Sequence, residues 1–263
     1  MTSPAWKPVW MRGRPWWHWL VLGIAVAYLV FAFSSINIDI ERIQRGAERS
    51  ARLLSQFLTP DFVSRWTAIR TGIVESLTMT LVATVIGVVL SVPFALGAAA
   101  NLAPKPVYLF CRGLLSVLRS LPEVIIAIIF VVMMGFGPFA GLLTLVVSTI
   151  AFIGKLLGEA IEEVDARQVE AVRATGASWL QVVRIAIVPQ IMPRFMGLSV
   201  YRLDINFRES TILGIVGAGG IGGTLRTSMQ RYDFATAAAI LILVIAIVLV
   251  LEYVSGFVRA RIQ

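Results

Sequence analysis

Residues 159–193 read EAIEEVDARQVEAVRATGASWLQVVRIAIVPQIMP, and their pattern decides the architecture. Glu159, Glu162, Glu163, Asp165, Arg167, Glu170 and Arg173 mark a solvated face, while Ala160, Ile161, Val164, Val169, Ala171, Val172 and Ala174 supply apolar and small positions. That is the signature of an amphipathic helix in water. Gly176 suits the left-handed conformation that ends a helix. Ser178 followed by Gln181 reads as a capping box opening a second one. Pro189 and Pro193 interrupt the continuation of that second helix, as a kink or as a stop. The stretch therefore predicts a helix–turn–helix. It is longer than a connector needs to be, which points to a docking surface.

On either side of this polar stretch the chain is apolar. Of its 263 residues 58% are hydrophobic and only 14% charged, with a mean hydropathy of +0.84. A soluble domain is about 45–50% apolar and about 25% charged, so too few charges exist here to cover a soluble surface. A soluble enzyme, a disordered chain and a secreted disulfide scaffold are excluded. A bilayer core about 30 Å thick needs roughly 20 apolar residues in helix. Such runs fall at 17–36, 74–100, 114–135, 139–158, 195–217 and 235–257. The expectation is an all-α, six-span polytopic membrane protein, with the 159–193 stretch outside the bilayer. One transmembrane domain covers 1–263, made of a tail and first span (1–36), an amphipathic connector (37–70) and a core bundle (71–263).

Sidedness comes from the basic residues. Lys105, Arg112, the five Lys/Arg between 155 and 194, Arg259 and Arg261 share one side with the N-terminal tail. The positive-inside rule makes that side the cytoplasm, with both termini there. The formal net charge of +8 fits anionic lipid rather than nucleic acid as the partner. Residues 37–70 dissent, because Arg42, Arg45, Arg49, Arg52, Arg65 and Arg70 fall on the outer side. Asp39, Glu41, Glu48 and Asp61 offset most of that charge, and Ile40, Ile43, Ala47, Leu54 and Phe57 recur at helical spacing. The segment reads as a surface-lying helix, and Thr59-Pro60-Asp61 as a cap restarting the chain with Pro at the first helical position. A lone Cys111 and a lone His18 supply neither a disulfide nor a metal cluster.

Glu170-Ala171-Val172, Gly176 and Ala186-Ile187-Val188-Pro189 resemble the EAA loop of ABC importer permeases, whose pattern runs Glu-Ala-Ala, Gly, Ile-x-Leu-Pro. Val172 and Val188 depart conservatively, and Ala186 stands where Ile is usual. The resemblance implies the type I ABC importer permease fold, with a coupling helix that seats in a separate ATPase subunit. Glu170, Ala171, Arg173, Gly176, Ala177 and Pro189 are the coupling candidates. It also implies a second copy of the chain, two ATPase subunits using ATP and Mg, an extracytoplasmic binding protein, and a bacterial inner membrane. No cofactor and no catalytic residue is expected in this chain.

Gly217, Gly219 and Gly222 spell a literal G-x-G-x-x-G, but a span rather than a strand precedes them and Asp233 comes too early for a dinucleotide site. Residues 208–222, RESTILGIVGAGGIG, instead resemble the phosphonate-type branch of these permeases, implying phosphonate, phosphite or phosphate as cargo. Methionine or another small nutrient is the alternative cargo; a channel or a membrane-embedded enzyme is the alternative class. The glycines suit either close packing or an unwound turn presenting N–H groups to an anion. Intramembrane charges are costly and face a bundle interior or a water-filled path. Arg202, Asp204, Arg208, Glu209, Ser210, Gly217, Gly219 and Gly220 are therefore the pathway candidates, with the four charges equally readable as neutralising one another and holding helices or two subunits together. Asp204 with Arg208, and Arg202 with Glu209, have spacings that share a helix face. Arg119-Ser120-Leu121-Pro122-Glu123 reads as the start of the third span, with Ser120 as cap.

Overall fold

The computed structural model describes residues 16–35, 46, 50 and 53–262. Most of the amphipathic connector, including Arg42, Arg45, Arg49 and Arg52, therefore lies outside the described residues, as does the side chain of His18. The chain forms two compact units, Met1–Arg52 and Leu53–Gln263. In the first, α1 (Trp16–Ser35) is an apolar helix beginning at a pair of tryptophans whose rings lie 5.1 Å apart.

The regular structure of the second unit is all helix among its described residues, with α2 (Trp66–Gly97), α3 (Lys105–Ser120), α4 (Glu123–Met134) and α5 (Pro138–Glu162) in its first half. Then come α6 (Ala166–Ala174), a short α7 (Trp179–Val182), α8 (Val188–Ile215), α9 (Ile221–Gln230) and α10 (Phe234–Ile262). The all-α expectation holds. Helices α2, α5 and α10 are long and apolar enough to cross a membrane.

The 114–135 run is not one straight span. The chain breaks at Leu121-Pro122, and α3 and α4 meet at 93°. Proline at 122 disfavours helical geometry at Leu121, which is extended. Pro122 then caps α4 itself. Ser120 does not cap it; its hydroxyl donates back to the Val117 carbonyl at 2.7 Å. Likewise Thr59 caps nothing, since its hydroxyl bonds back to Gln56. Asp61 instead accepts from the Val63 and Ser64 amides, and helix α2 starts only at Trp66.

The bundle is held by small residues. Gly72, Ser76, Ala83, Gly87, Ser91 and Ala95 form a buried stripe along α2, which lets α5 approach closely, as dispersion-driven packing in lipid requires. Toward one end, Ile153, Leu157 and Ile161 of α5 join Val169, Val182, Val183, Ala186 and Ile187 in a single apolar cluster. At the opposite end, Ile69, Ile221, Leu225, Ala237 and Ile240 form another, with Phe57 packed on it.

Pro189 and Pro193 neither stop nor sharply break the chain. Between α7 and α8 the backbone widens into a π-turn over Val183–Ile187. The wider turn relaxes the ladder where the ring of Pro189 would meet the carbonyl one turn back. Pro193 sits inside a continuous α8.

Candidate functional site

Midway along α8, Arg202 is almost wholly enclosed. Its Nη2 donates to Glu123 Oε1 at 3.1 Å, Glu209 Oε2 at 3.0 Å and Ser148 Oγ at 2.6 Å, and its Nε to Thr149 Oγ1 at 3.2 Å. The guanidinium also stands 5.3 Å from the Phe152 ring centroid, with Arg119 at 5.6 Å from the same ring. Ser148 donates in turn to Glu123. Below this layer Asn206 Nδ2 donates to Thr84 at 2.8 Å and Thr149 at 3.0 Å. A charge kept from water is tolerated when it is paired and hydrogen-bonded, and Arg202 is paired and bonded through Nη2 and Nε by α4, α5 and α8 together. Three helices are thereby pinned to one guanidinium.

The second pair differs. Arg208 is bonded to Asp204, as their spacing predicts. Asp204 is 4% exposed, but Arg208 is 49% exposed. Ser210 turns its hydroxyl onto the Phe207 carbonyl at 2.7 Å and is buried, so it offers nothing outward.

Between the two meanings of the glycine run, packing prevails. The Gly220 amide donates to Glu75 Oε2 at 3.1 Å and the Ile221 amide to Ser76 Oγ at 3.0 Å, so these N–H groups are already occupied by α2. A side chain at Gly219 would lie 2.5 Å from the Pro138 nitrogen, and one at Gly222 would collide with the Thr211 carbonyl. The Gly217 carbonyl accepts from the Gly137 amide at 3.0 Å. The run is a seam joining α8, α9, α2 and the start of α5.

The 159–193 stretch forms the expected helix–turn–helix. Asp165 caps α6 through the Arg167 amide. Gly176 adopts a φ of +80°. The capping box is complete, with the Ser178 amide donating to Gln181 Oε1 at 2.7 Å. Val169, Val182 and Val183 are turned into the cluster against α5, while Glu170, Ala171, Arg173, Ala174 and Gly176 are exposed, as is Pro189; Ala177 is half-buried. The glutamates preceding α6 are not a free solvated face. Glu162 accepts from Arg112 at 2.9 Å and from the Ala100 amide at 2.8 Å, Glu159 lies 3.8 Å from Arg112, and Glu163 pairs with Arg194. The Asn101 amide donates to the Ile161 carbonyl at 2.8 Å. These contacts bolt the base of the module to the α2–α3 junction and to α8. No group of side chains able to hold a metal ion occurs among the described residues.

Residues 91–263 match the family described as the binding-protein-dependent transport system inner membrane component. The chain belongs to that family. It is thus a permease of a transport system, multi-pass in the membrane. Several of its relatives are permeases of phosphite, phosphonate or phosphate systems, the type that the glycine run suggested, and others are D-methionine permeases. The phosphite transport system permease protein PtxC of Stutzerimonas stutzeri is 39% identical over 250 residues, covering 94% of this chain and 90% of that one. The phosphate-import permease protein PhnE of Mycolicibacterium smegmatis is 38% identical over 91% of this chain. This permease spans 45% of that relative's length. The fold is also that of the methionine ABC transporter MetNI solved in inward-facing conformations, with a TM-score of 0.65 at 24% identity, covering 74% of this chain and 96% of that one.

The permease's intramembrane network also uses residues that its sequence does not mark. Glu123 reads from sequence only as part of a helix start, with Arg119 and Pro122, yet it ligates Arg202 from α4. Ser148, Thr149 and Asn206 join it, and Glu75, apart from it, holds the Gly220 amide, all without having stood out as candidates. A signal exists for Glu75, a carboxylate within an apolar run. For the hydroxyls there is none, because Ser and Thr bond within a helix as readily as across one.

Proposed function

We propose that this chain is the membrane-spanning subunit of an ATP-driven importer that carries phosphite, phosphonate or phosphate inward by alternating access. The observation that carries this is the likeness to a phosphite permease over 94% of the chain. Two copies form the pathway, and each seats one ATPase subunit, which binds and hydrolyses ATP with Mg; an extracytoplasmic binding protein delivers cargo. The permease itself performs no catalysis and holds no cofactor. The end bearing α6 and α7 is cytoplasmic, as are both termini. Glu170, Ala171, Arg173, Gly176 and Ala177 face the ATPase, with Pro189 shaping the return into α8. The exposure of that turn and the open space beside Gly176 support this role, because a docking turn must present backbone and small side chains to its partner.

The test is reconstitution of the permease with its ATPase and binding protein in proteoliposomes. Radiolabelled phosphite should accumulate only with ATP inside the coupled system, and excess phosphonate or phosphate should compete. Accumulation of methionine with no phosphorus oxyanion transport would overturn the cargo. ATP-independent flux would point instead to a channel.

A further inference from the structure

The two intramembrane arginines are not equivalent. Arg202 is 3% exposed and bonded through Nη2 and Nε to Glu123, Glu209, Ser148 and Thr149, so it is held among three helices. Arg208 is engaged through Nη2 alone, by Asp204. A guanidinium carries five N–H donors in a fixed fork, so most of those on Arg208 remain uncommitted while half the side chain is exposed. Further along α8 than Arg202, such a group within an apolar bundle is stable against water or another polar group rather than against hydrocarbon.

Asp204 provides the second, independent observation. Its side chain is 4% exposed, and its Oδ1 has no hydrogen-bond partner. A buried acceptor left unpaired is costly. The nearby helix hydroxyls do not fill the deficit, since both Ser210 and Thr211 donate to the Phe207 carbonyl. Oδ1 shares a carbon with the Oδ2 that holds Arg208, so the unmet acceptor belongs to the same carboxylate as the ion pair.

We propose that Asp204 and Arg208 form a substrate-reading pair for the singly protonated phosphorus oxyanion, Arg208 holding its charged oxygens and Asp204 accepting its P–OH. The inference rests on the cargo proposed above. A bare cation would satisfy Asp204 and be repelled by Arg208. A fully ionised anion such as sulfate would satisfy Arg208 and be repelled by Asp204. A ligand with both an anionic oxygen and a hydrogen-bond donor answers both groups. Phosphorus oxyanions meet this requirement near neutrality, where a second ionisation near pH ~6 leaves a protonated fraction. The oxyanion competes with Asp204 for Arg208, and its hydroxyl then takes the carboxylate released. Each partner is exchanged rather than stripped, so cargo is held weakly enough to leave again.

Phosphite uptake per ATP hydrolysed, in the assembled transporter with loaded binding protein, tests this. Arg208→Gln and Asp204→Ala should each lower that ratio by about tenfold or more, the scale on which unmet polar partners discriminate, while the same amount of ATPase subunit co-purifies. Arg208→Lys keeps the charge without the fork and should fall between. Exchanging the two residues, Asp204→Arg with Arg208→Asp, restores an ion pair but not the arrangement, and should stay defective. An unchanged ratio in Arg208→Gln overturns the proposal. So does recovery in the exchanged variant, or a loss that only tracks lost assembly. The wild-type transporter is measured first: if it moves no phosphorus oxyanion, the cargo reading fails, whereas indifferent variants in an active transporter refute the pair alone.

Discussion

At Arg202 a single side chain does the work of a helix crossing. Its four hydrogen-bonded partners come from α4, α5 and α8, and two are carboxylates that would otherwise stand together in an apolar bundle. The guanidinium therefore pairs with both carboxyls at once. Removing one member of a buried ionic set costs about 3–5 kcal/mol, because the remaining charges lose their compensation. Arg202→Gln should lower the thermal midpoint of the detergent-solubilised permease correspondingly. Adding Glu209→Gln should recover part of the loss, since one of the stranded charges is then removed. Equal midpoints for wild type and Arg202→Gln would mean that the cluster contributes no stability. Sequence spacing exposes the Arg202–Glu209 relation along one helix. It is silent on Glu123, 79 residues away in the chain, because a cross-helix contact leaves no periodic trace.

At the scale of elements, the helix–turn–helix shows where local rules suffice. Its capping box, its left-handed glycine and its apolar side are all legible at 159–193, since each depends on neighbours within a turn. At Pro189 local rules offer only a kink or a stop, and the chain takes a third course through the π-turn, held by burial of Val183, Ala186 and Ile187. Tertiary packing decides that outcome. Gly176 lies at the exposed junction of α6 and α7, and a Cβ there would meet nothing within 4 Å. Any clash from a larger residue must therefore come from a partner or from the φ of +80°, which costs most L residues about 1–2 kcal/mol and asparagine less. Gly176→Trp should abolish ATP-driven uptake while the protein still reaches the membrane, whereas Gly176→Asn should retain most of it. Comparable uptake by the two would show that no partner closes on the turn.

For the whole molecule, hydropathy locates the apolar segments but not how the chain uses them. Three expected spans emerge as long apolar helices, and the 114–135 run becomes the bent α3–α4 pair. The 195–217 run falls in α8 up to Ile215, and of its charges Arg202 acquires its cross-helix partners only when α4 and α5 close on it. Orientation is a property of the bundle, and the structure sorts the basic residues by end. Lys105, Lys155, Arg167, Arg173, Arg184 and Arg194 lie toward the α6–α7 end with Arg259 and Arg261, whereas Arg65, Arg70, Arg226 and Arg231 lie toward the other. Of these last, Arg65 is neutralised by Asp233 at 3.1 Å. That asymmetry favours a cytoplasmic position for α6 and α7. Cys111, the chain's one cysteine, is buried, so a Cys111→Ala background permits single-site labelling. In intact spheroplasts a membrane-impermeant maleimide should label Arg231→Cys at the turn before α10, and should reach Ala174→Cys only after permeabilisation. The reverse pattern would invert the bundle. It would leave α6 and α7 on the side that has no ATP, where they could not answer an ATPase.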